Sequence, residues 1–276
     1  MGGGPAGSAR AVADALRGRV IGMSHAAKAP HLGSCLSCLD LLTVLYASFL
    51  QVDPRRPDDP DRDRFILSKG HAAPALYAVL AHRGFFPAGL LDGYTRPDSP
   101  LEEHPGPRCV PGVEVATGSL GHGLPIGVGM ALAANLAGRR HRTVVLLSDG
   151  ECNEGSVWEA AMYAAARRLD RLIAIIDVNK WQATGRSAEV MALEPLPQKW
   201  EAFGWTAMRI DGHDHAAIAA ALARADAAAG TGRPFAIVAD TVKGKGVSFM
   251  EDDNNWHYRI PTAEEVARAR QELGLP

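Results

Sequence analysis

The chain predicts an α/β fold: a doubly wound, mostly parallel sheet with helices on both faces. Three observations carry that expectation. Short apolar, β-branched runs at residues 65–67, 143–147, 172–176, 206–210 and 235–239 have the length of buried strands rather than helices. Ala-rich stretches of helical length lie between them, so strand and helix alternate along the chain. With 276 residues, 47% hydrophobic and 22% charged, the chain is long enough to bury both faces of such a sheet. Residues 10–276 therefore read as one domain, preceded by a flexible tail over residues 1–9 that lacks the charged and apolar regions of a signal peptide.

The first helix is expected over 9–27, where Val12, Leu16, Val20 and Ile21 recur at helical spacing, and it ends before Pro30. His31, Leu32, Gly33 and Ser34 follow, and a second helix is expected over 38–50. The run VDPRRPDDPDRD is a solvated surface connection. The strand at 65–67 delivers Ser68, Lys69, Gly70 and His71 just before a helix over 72–83, where a histidine is placed to donate to a phosphate. Residues 94–118 are rich in Pro and Gly and carry Glu102, Glu103 and His104; loops this long inside a compact domain are usually functional or disordered. Gly118, Gly121 and Gly123 then permit close backbone approach ahead of a helix over 124–136. They are not a dinucleotide fingerprint, because no strand precedes them.

The strand at 143–147, a helix over 157–169 opened by Ser156 and Glu159 as a capping box, and the strand at 172–176 make one βαβ unit. A short helix over 195–203, a strand at 206–210, a helix over 216–229 and the strand at 235–239 follow. The last strand ends in Asp240-Thr-Val-Lys-Gly-Lys-Gly, a polar stretch holds Trp256 and His257, and a helix over 263–273 closes the chain with Thr262 and Glu265 as its capping box.

Ligands of open α/β sheets sit beyond the carboxyl ends of the strands, which is where the βαβ unit puts Asp149, Asp177 and Asn179. Carboxylate and amide oxygens suit Mg²⁺ or Ca²⁺, so Asp149 and Asn179 are a candidate pair for a cation bridging to a phosphorylated ligand, with the Gly150 amide turned the same way. Either motif alone is also an ordinary strand-closing turn; their pairing across one unit is the argument for a site. Of ten histidines, His31, His71, His104 and His257 lie at glycine-flanked turns or in loops. One such histidine is commonly a surface or satisfied core residue, whereas a gathering of four can move protons at a sugar hydroxyl or carbonyl oxygen. Lys243 and Lys245 are candidates for phosphate contact, with a plain surface role as the alternative.

Composition excludes other classes. A net charge of −2 provides no basic field for nucleic acid, and no apolar run approaches a membrane span. Four cysteines are too few for a disulfide scaffold, which points to the cytoplasm. The pair Cys35 and Cys38 lacks the second pair a structural zinc needs and reads as small buried hydrophobes.

The segments SDGE and DVNKWQATG resemble the thiamine diphosphate motif, a GDG followed by an Asn-rich turn. APHLGSCLS, FILSKGH, LEEHPGP, TGSLGHG and TVKGKGVSFMEDDNNWH are similar, in the same order, to further segments of the amino-terminal domain of transketolases, above all the bacterial kind split into two subunits. The resemblance runs from about Arg10 to Pro261. It implies a thiamine diphosphate-binding fold and, as cofactors, thiamine diphosphate with Mg²⁺ or Ca²⁺. By the same resemblance Asp149, Asn179 and Trp181 hold the metal. His71, Gly118, Leu120, Gly150, Glu151, Asn179, Lys243 and His257 bind the cofactor, and His31, His104, His257 and Glu154 serve catalysis. Glu154 and Glu159 match acidic residues that join paired active sites in the family, although the capping box explains Glu159 equally well. Ser148 for the first Gly of GDG, Ala29-Pro30 before His31, His122 for Gln and Val178 before Asn179 depart from the family pattern.

The implied activity is transfer of a two-carbon ketol unit from a ketose to an aldose. In the family a glutamate from a second domain contacts the aminopyrimidine ring. The expected partner is therefore a pyrimidine-binding carboxyl-terminal subunit, in a homodimerised 2+2 complex with cofactor at the interface. Two alternatives stay open: transfer from a 2-oxo acid or to a carrier-bound or lipoyl acceptor, and a catalytically silent partner subunit.

Overall fold

A computed structural model describes residues 9–276. The expected tail falls outside the described residues except for Ala9, which already belongs to the first helix. Strands β1 (Arg64–Leu67), β2 (Thr143–Ser148), β3 (Leu172–Val178), β4 (Thr206–Asp211) and β5 (Phe235–Asp240) form one sheet in the order β1-β2-β3-β5-β4. Every neighbouring pair is parallel, and all five expected strands form.

The helices are α1 (Ala9–Ala27), α2 (Leu32–Ser37), α3 (Leu39–Val44), α4 (Ala73–His82), α5 (Gly123–Leu136), α6 (Gly155–Ala166), α7 (Ser187–Val190), α8 (Leu196–Ala202), α9 (His215–Ala227) and α10 (Ala263–Glu272). Successive strand side chains point to opposite faces, and each face has its own core. Val144, Leu146, Ile173, Ile175 and Ile237 pack with residues of α1, α3, α4 and α9. Val145, Leu147, Ala174, Ile176 and Val238 pack with α5, α6 and α8. Burial on both faces is why the strands are continuous apolar runs rather than alternating ones. No helix among the described residues is long and apolar enough to cross a membrane.

Two local expectations are corrected. The helix expected over 38–50 is α3 followed by a π-helical turn at Leu45–Phe49, and a helix that was not expected, α2, precedes it and meets it at Cys38. The start of α2 was hidden because His31 carries a left-handed φ of 69° and makes no capping hydrogen bond, so α2 forms through burial rather than a local start signal. The capping box at Ser156 and Glu159 does not form. Helix α6 begins at Gly155 on an extended Glu154, and the Ser156 hydroxyl donates instead to the Gly121 carbonyl at 2.8 Å. The box at Thr262 and Glu265 does form. Residues 94–122 contain no helix or strand; Glu114 pairs with Arg62 and Arg64 at the start of β1, and the segment also carries His104.

Candidate functional site

Beneath the carboxyl ends of β1, β3 and β5 lies a fully buried ion pair, Lys69 with Asp177. The ammonium also donates to the Ser34 carbonyl at 2.9 Å, and Asp177 accepts from Ser37 Oγ at 2.6 Å and from the Thr241 hydroxyl. Burial alone would raise the Asp177 carboxyl, but Lys69 and the two hydroxyls hold it below the usual range. The pair ties three strand ends to α2. Glu151 is a second brace: buried, it accepts from the Ser68 hydroxyl, from the Gly121 amide at 2.8 Å and from the Ser148 amide at 3.3 Å. Its oxygens hold the glycine loop against β1 and β2.

Above this floor two buried charges lack opposite partners. Asp149 is 1% exposed and pairs with no cationic side chain among the described residues. Its carboxylate accepts from the Gly150 amide at 2.9 Å, the Lys180 amide at 3.1 Å and Ser187 Oγ at 2.7 Å, and burial pushes its pKa up to about 6. Asn179 is buried beside it, its Oδ1 accepting from the Trp181 amide at 3.2 Å. Lys243 is fully buried with no carboxylate at ion-pair distance; it meets Asn254 Oδ1 at 2.8 Å and His257 Nδ1 at 3.1 Å. Burial and the charge of Lys69 bring the Lys243 amine down to about 8. Lys245 turns away to Glu251 at 3.1 Å.

The four histidines converge, with His31 at their centre. Its ring centroid lies 5.0 Å from His257, 5.4 Å from His71 and 5.8 Å from His104, and His71 is 5.8 Å from His257. The His31 amide donates to the His257 carbonyl at 2.8 Å, which locks the start of α2 to the carboxyl-terminal segment. Burial lowers the pKa of His31, lowers that of His71 well below its ordinary value, and takes His257 down to about 3. Burial thus favours the neutral ring in all three. Gly118, at φ 134°, passes so close to His104 that a Cβ there would lie 2.7 Å from the ring. Leu120 is half-buried in the same loop.

Glu154 is exposed, and its carboxylate has no partner among the described residues. Trp181 Nε1 donates to Asp252 at 2.8 Å, and Arg186, paired with the same Asp252, stacks 3.8 Å above the indole. Cys35 and Cys38 are core residues, their thiols pushed up by burial. No group of three or more His, Cys, Asp or Glu among the described residues has metal-holding geometry. The expected donors are of another kind, one carboxylate, one amide and a main-chain carbonyl.

The family model described as the thiamine diphosphate binding domain of transketolase matches residues 8–276. The chain belongs to the transketolase family. It is 43% identical over 257 residues to an apulose-4-phosphate transketolase subunit of Phocaeicola vulgatus, covering 93% of this chain and 90% of that one. It is 47% identical over 243 residues to the 6-deoxy-6-sulfo-D-fructose transketolase subunit SqwG of a Clostridium species, covering 88% of each. Among solved structures, the transketolase of Leishmania mexicana superposes with a TM-score of 0.92 at 30% identity, over 98% of this chain and 42% of that one. The transketolase domain thus accounts for the whole sheet, and thiamine diphosphate is its cofactor.

The donor set fits that cofactor on the structure's own terms. A buried carboxylate without a cation and a buried amine without an anion suit a ligand that brings both, as a metal diphosphate does. Sequence reasoning missed Lys69 and Asp177 as the floor, Ser187 on Asp149, and Glu103, whose Oε1 stands 3.2 Å from His31 Nδ1. Asp177 had a signal in its place at a strand end. The others had none, because their partners are distant in sequence.

Proposed function

We propose that the chain is the cofactor-binding subunit of a two-subunit transketolase, which moves a two-carbon ketol unit from a ketose to an aldose together with a pyrimidine-binding partner. The observation that carries this reading is the convergence of four histidines, three of them favoured by burial in the neutral form, beside the buried, unpaired Asp149 and Lys243. Support for a separate partner comes from lengths. The chain covers about nine-tenths of two relatives that are themselves named subunits, yet 38% of human transketolase.

Lys243, His71 and His257 hold the diphosphate, with the Gly150 amide and the backbone at Gly118 and Leu120 bordering it. Asp149, Asn179 and the Trp181 carbonyl hold Mg²⁺ or Ca²⁺. Glu151 acts through the loop it braces. When bound, thiamine diphosphate supplies a nucleophilic carbon toward substrate carbonyls. The chain's histidines handle the protons: His31, His104 and His257 face the donor's hydroxyls and carbonyl oxygen, and neutral rings both accept and donate there. Glu154, exposed beside the glycine loop, is positioned to meet a second copy of the subunit in a 2+2 complex. Four free cysteines suit a cytoplasmic location.

The test is calorimetric titration of thiamine diphosphate with Mg²⁺ into the chain, with and without the protein encoded next to it as the candidate carboxyl-terminal subunit, followed by ketose cleavage against pyruvate as donor. Tight binding and ketose cleavage by the pair are expected. Binding by neither preparation refutes the reading, and turnover of pyruvate alone changes the donor class.

A further inference from the structure

We infer that Glu103 is a positioning residue for His31, holding its Nδ1 so that Nε2 is presented for proton exchange with the donor substrate. The inference rests on the function proposed above. Glu103 comes from the irregular 94–122 segment, but its neighbours are fastened. The Glu102 carbonyl accepts from the Tyr77 hydroxyl of α4 at 3.2 Å, and the Pro105 carbonyl accepts from the Thr117 amide at 3.2 Å. The loop therefore presents the carboxylate from a fixed place, 3.2 Å from His31 Nδ1.

His31 itself has no freedom of backbone, since its left-handed φ of 69° is fixed by the amide bond to His257 and by α2 beginning immediately after it. Nδ1 is buried and makes no aligned hydrogen bond, so the carboxylate stands at contact distance from a neutral ring, an approach of the kind that tightens when a substrate closes a site. A carboxylate at Nδ1 selects the tautomer with the proton there and leaves Nε2 as the acceptor. Among the described residues Nε2 has no hydrogen-bond partner, and the ring around it is His71, His104 and His257.

The charges facing His31 act in both directions. Burial, His104 and Lys243 disfavour its protonated form, and Glu103 is the carboxylate that opposes them. Glu103 thus keeps His31 within reach of a proton that its surroundings would otherwise deny it. Its side chain is 42% exposed against 15% for His31, so it lies on the more solvent-exposed side of that contact.

The variant is Glu103→Gln, which keeps shape at a half-exposed position; Glu103→Asp retains the charge. Two measurements separate the inference from the function it rests on. In the chain alone, ¹⁵N-detected titration of the histidine rings, with His31→Asn assigning the signal, reads tautomer and midpoint without any activity. Glu103→Gln should lower the His31 midpoint and abolish its Nδ1–H preference, and Glu103→Asp should restore part of both. In the two-subunit complex, Glu103→Gln should reduce kcat/KM for ketose by on the order of tenfold, below the 10²–10⁴-fold a proton-transferring group contributes, and move the acid limb to lower pH. Cofactor affinity should not change. An unmoved His31 midpoint and tautomer, or a loss explained by weaker cofactor binding with the acid limb in place, overturns the inference. A wild-type complex inactive on ketose, with the His31 shift intact, refutes the functional reading instead.

Discussion

Asp149→Asn should make the ligand-free chain more stable while removing its response to cofactor. Burial raises the Asp149 carboxyl from 3.8 to about 6, so the folded chain binds that proton more tightly than the unfolded one. The ionised form then costs roughly 3 kcal/mol, absent below about pH 4 and fully present above about pH 6. Asparagine removes the charge, but its amide N–H₂ meets donors. The carboxylate accepts from the Lys180 amide and the Ser187 hydroxyl, and losing one acceptor costs about 1–2 kcal/mol. The net gain is about 1–2 kcal/mol, or roughly 2–5 °C in Tm for a domain of this size. Scanning calorimetry at pH 4.5 and 7.5, with and without thiamine diphosphate and Mg²⁺, gives the assay. The variant should gain at pH 7.5 and not at 4.5. Saturating cofactor at about a hundredfold over Kd should stabilise the wild type by about 3 kcal/mol and the variant by far less. A variant less stable at both pH values, or one whose cofactor response equals the wild type's, would refute the reasoning.

Lys69→Met strands Asp177 in the core and should cost about 3–5 kcal/mol in denaturant unfolding, with Lys69→Met/Asp177→Asn recovering part of it. Gly118→Ala places a methyl 2.7 Å from the His104 ring at a φ of 134°. It should cost about 1–3 kcal/mol and, by displacing His104, lower ketose turnover on the order of a hundredfold, read by steady-state kinetics. With its amine at about 8, Lys243 loses its charge as pH rises through that value, so the Kd for thiamine diphosphate should weaken about tenfold between pH 7 and 9. Lys243→Met should bind weakly with no such pH step.

Legibility in the sequence followed interaction range. Thr143–Ser148 and Leu172–Val178 are buried on both sides, so each is a continuous apolar run visible without a partner. Asp149 and Asn179 were legible because they close neighbouring strands of one βαβ unit. The histidines were legible as residue types, but their gathering around His31 depends on loops that periodicity says nothing about. Lys69 illustrates the limit. A lysine between a strand and Gly-His looks solvent-exposed, and only the placement of β1 and β3 on either side of β2 brings it to Asp177. Ser156 fails for the converse reason: a correct local pattern lost to a distant acceptor, Gly121.

The contrast between the two levels of the site bears on the ligand that the proposed function assigns to it. Lys69 and Asp177 neutralise each other and form a closed floor. Directly above, Asp149 and Lys243 are near enough for the carboxylate to support the ammonium, yet each makes its hydrogen bonds to neutral groups. Joined to each other they would be a second closed pair, and the site would have no use for a ligand. Held apart, each retains a desolvation cost that an added opposite charge removes. A bare diphosphate would relieve Lys243 and oppose Asp149, and a bare divalent cation would do the reverse. A metal diphosphate would relieve both, so on the proposed function the separation of these two charges favours the cation and the anion together.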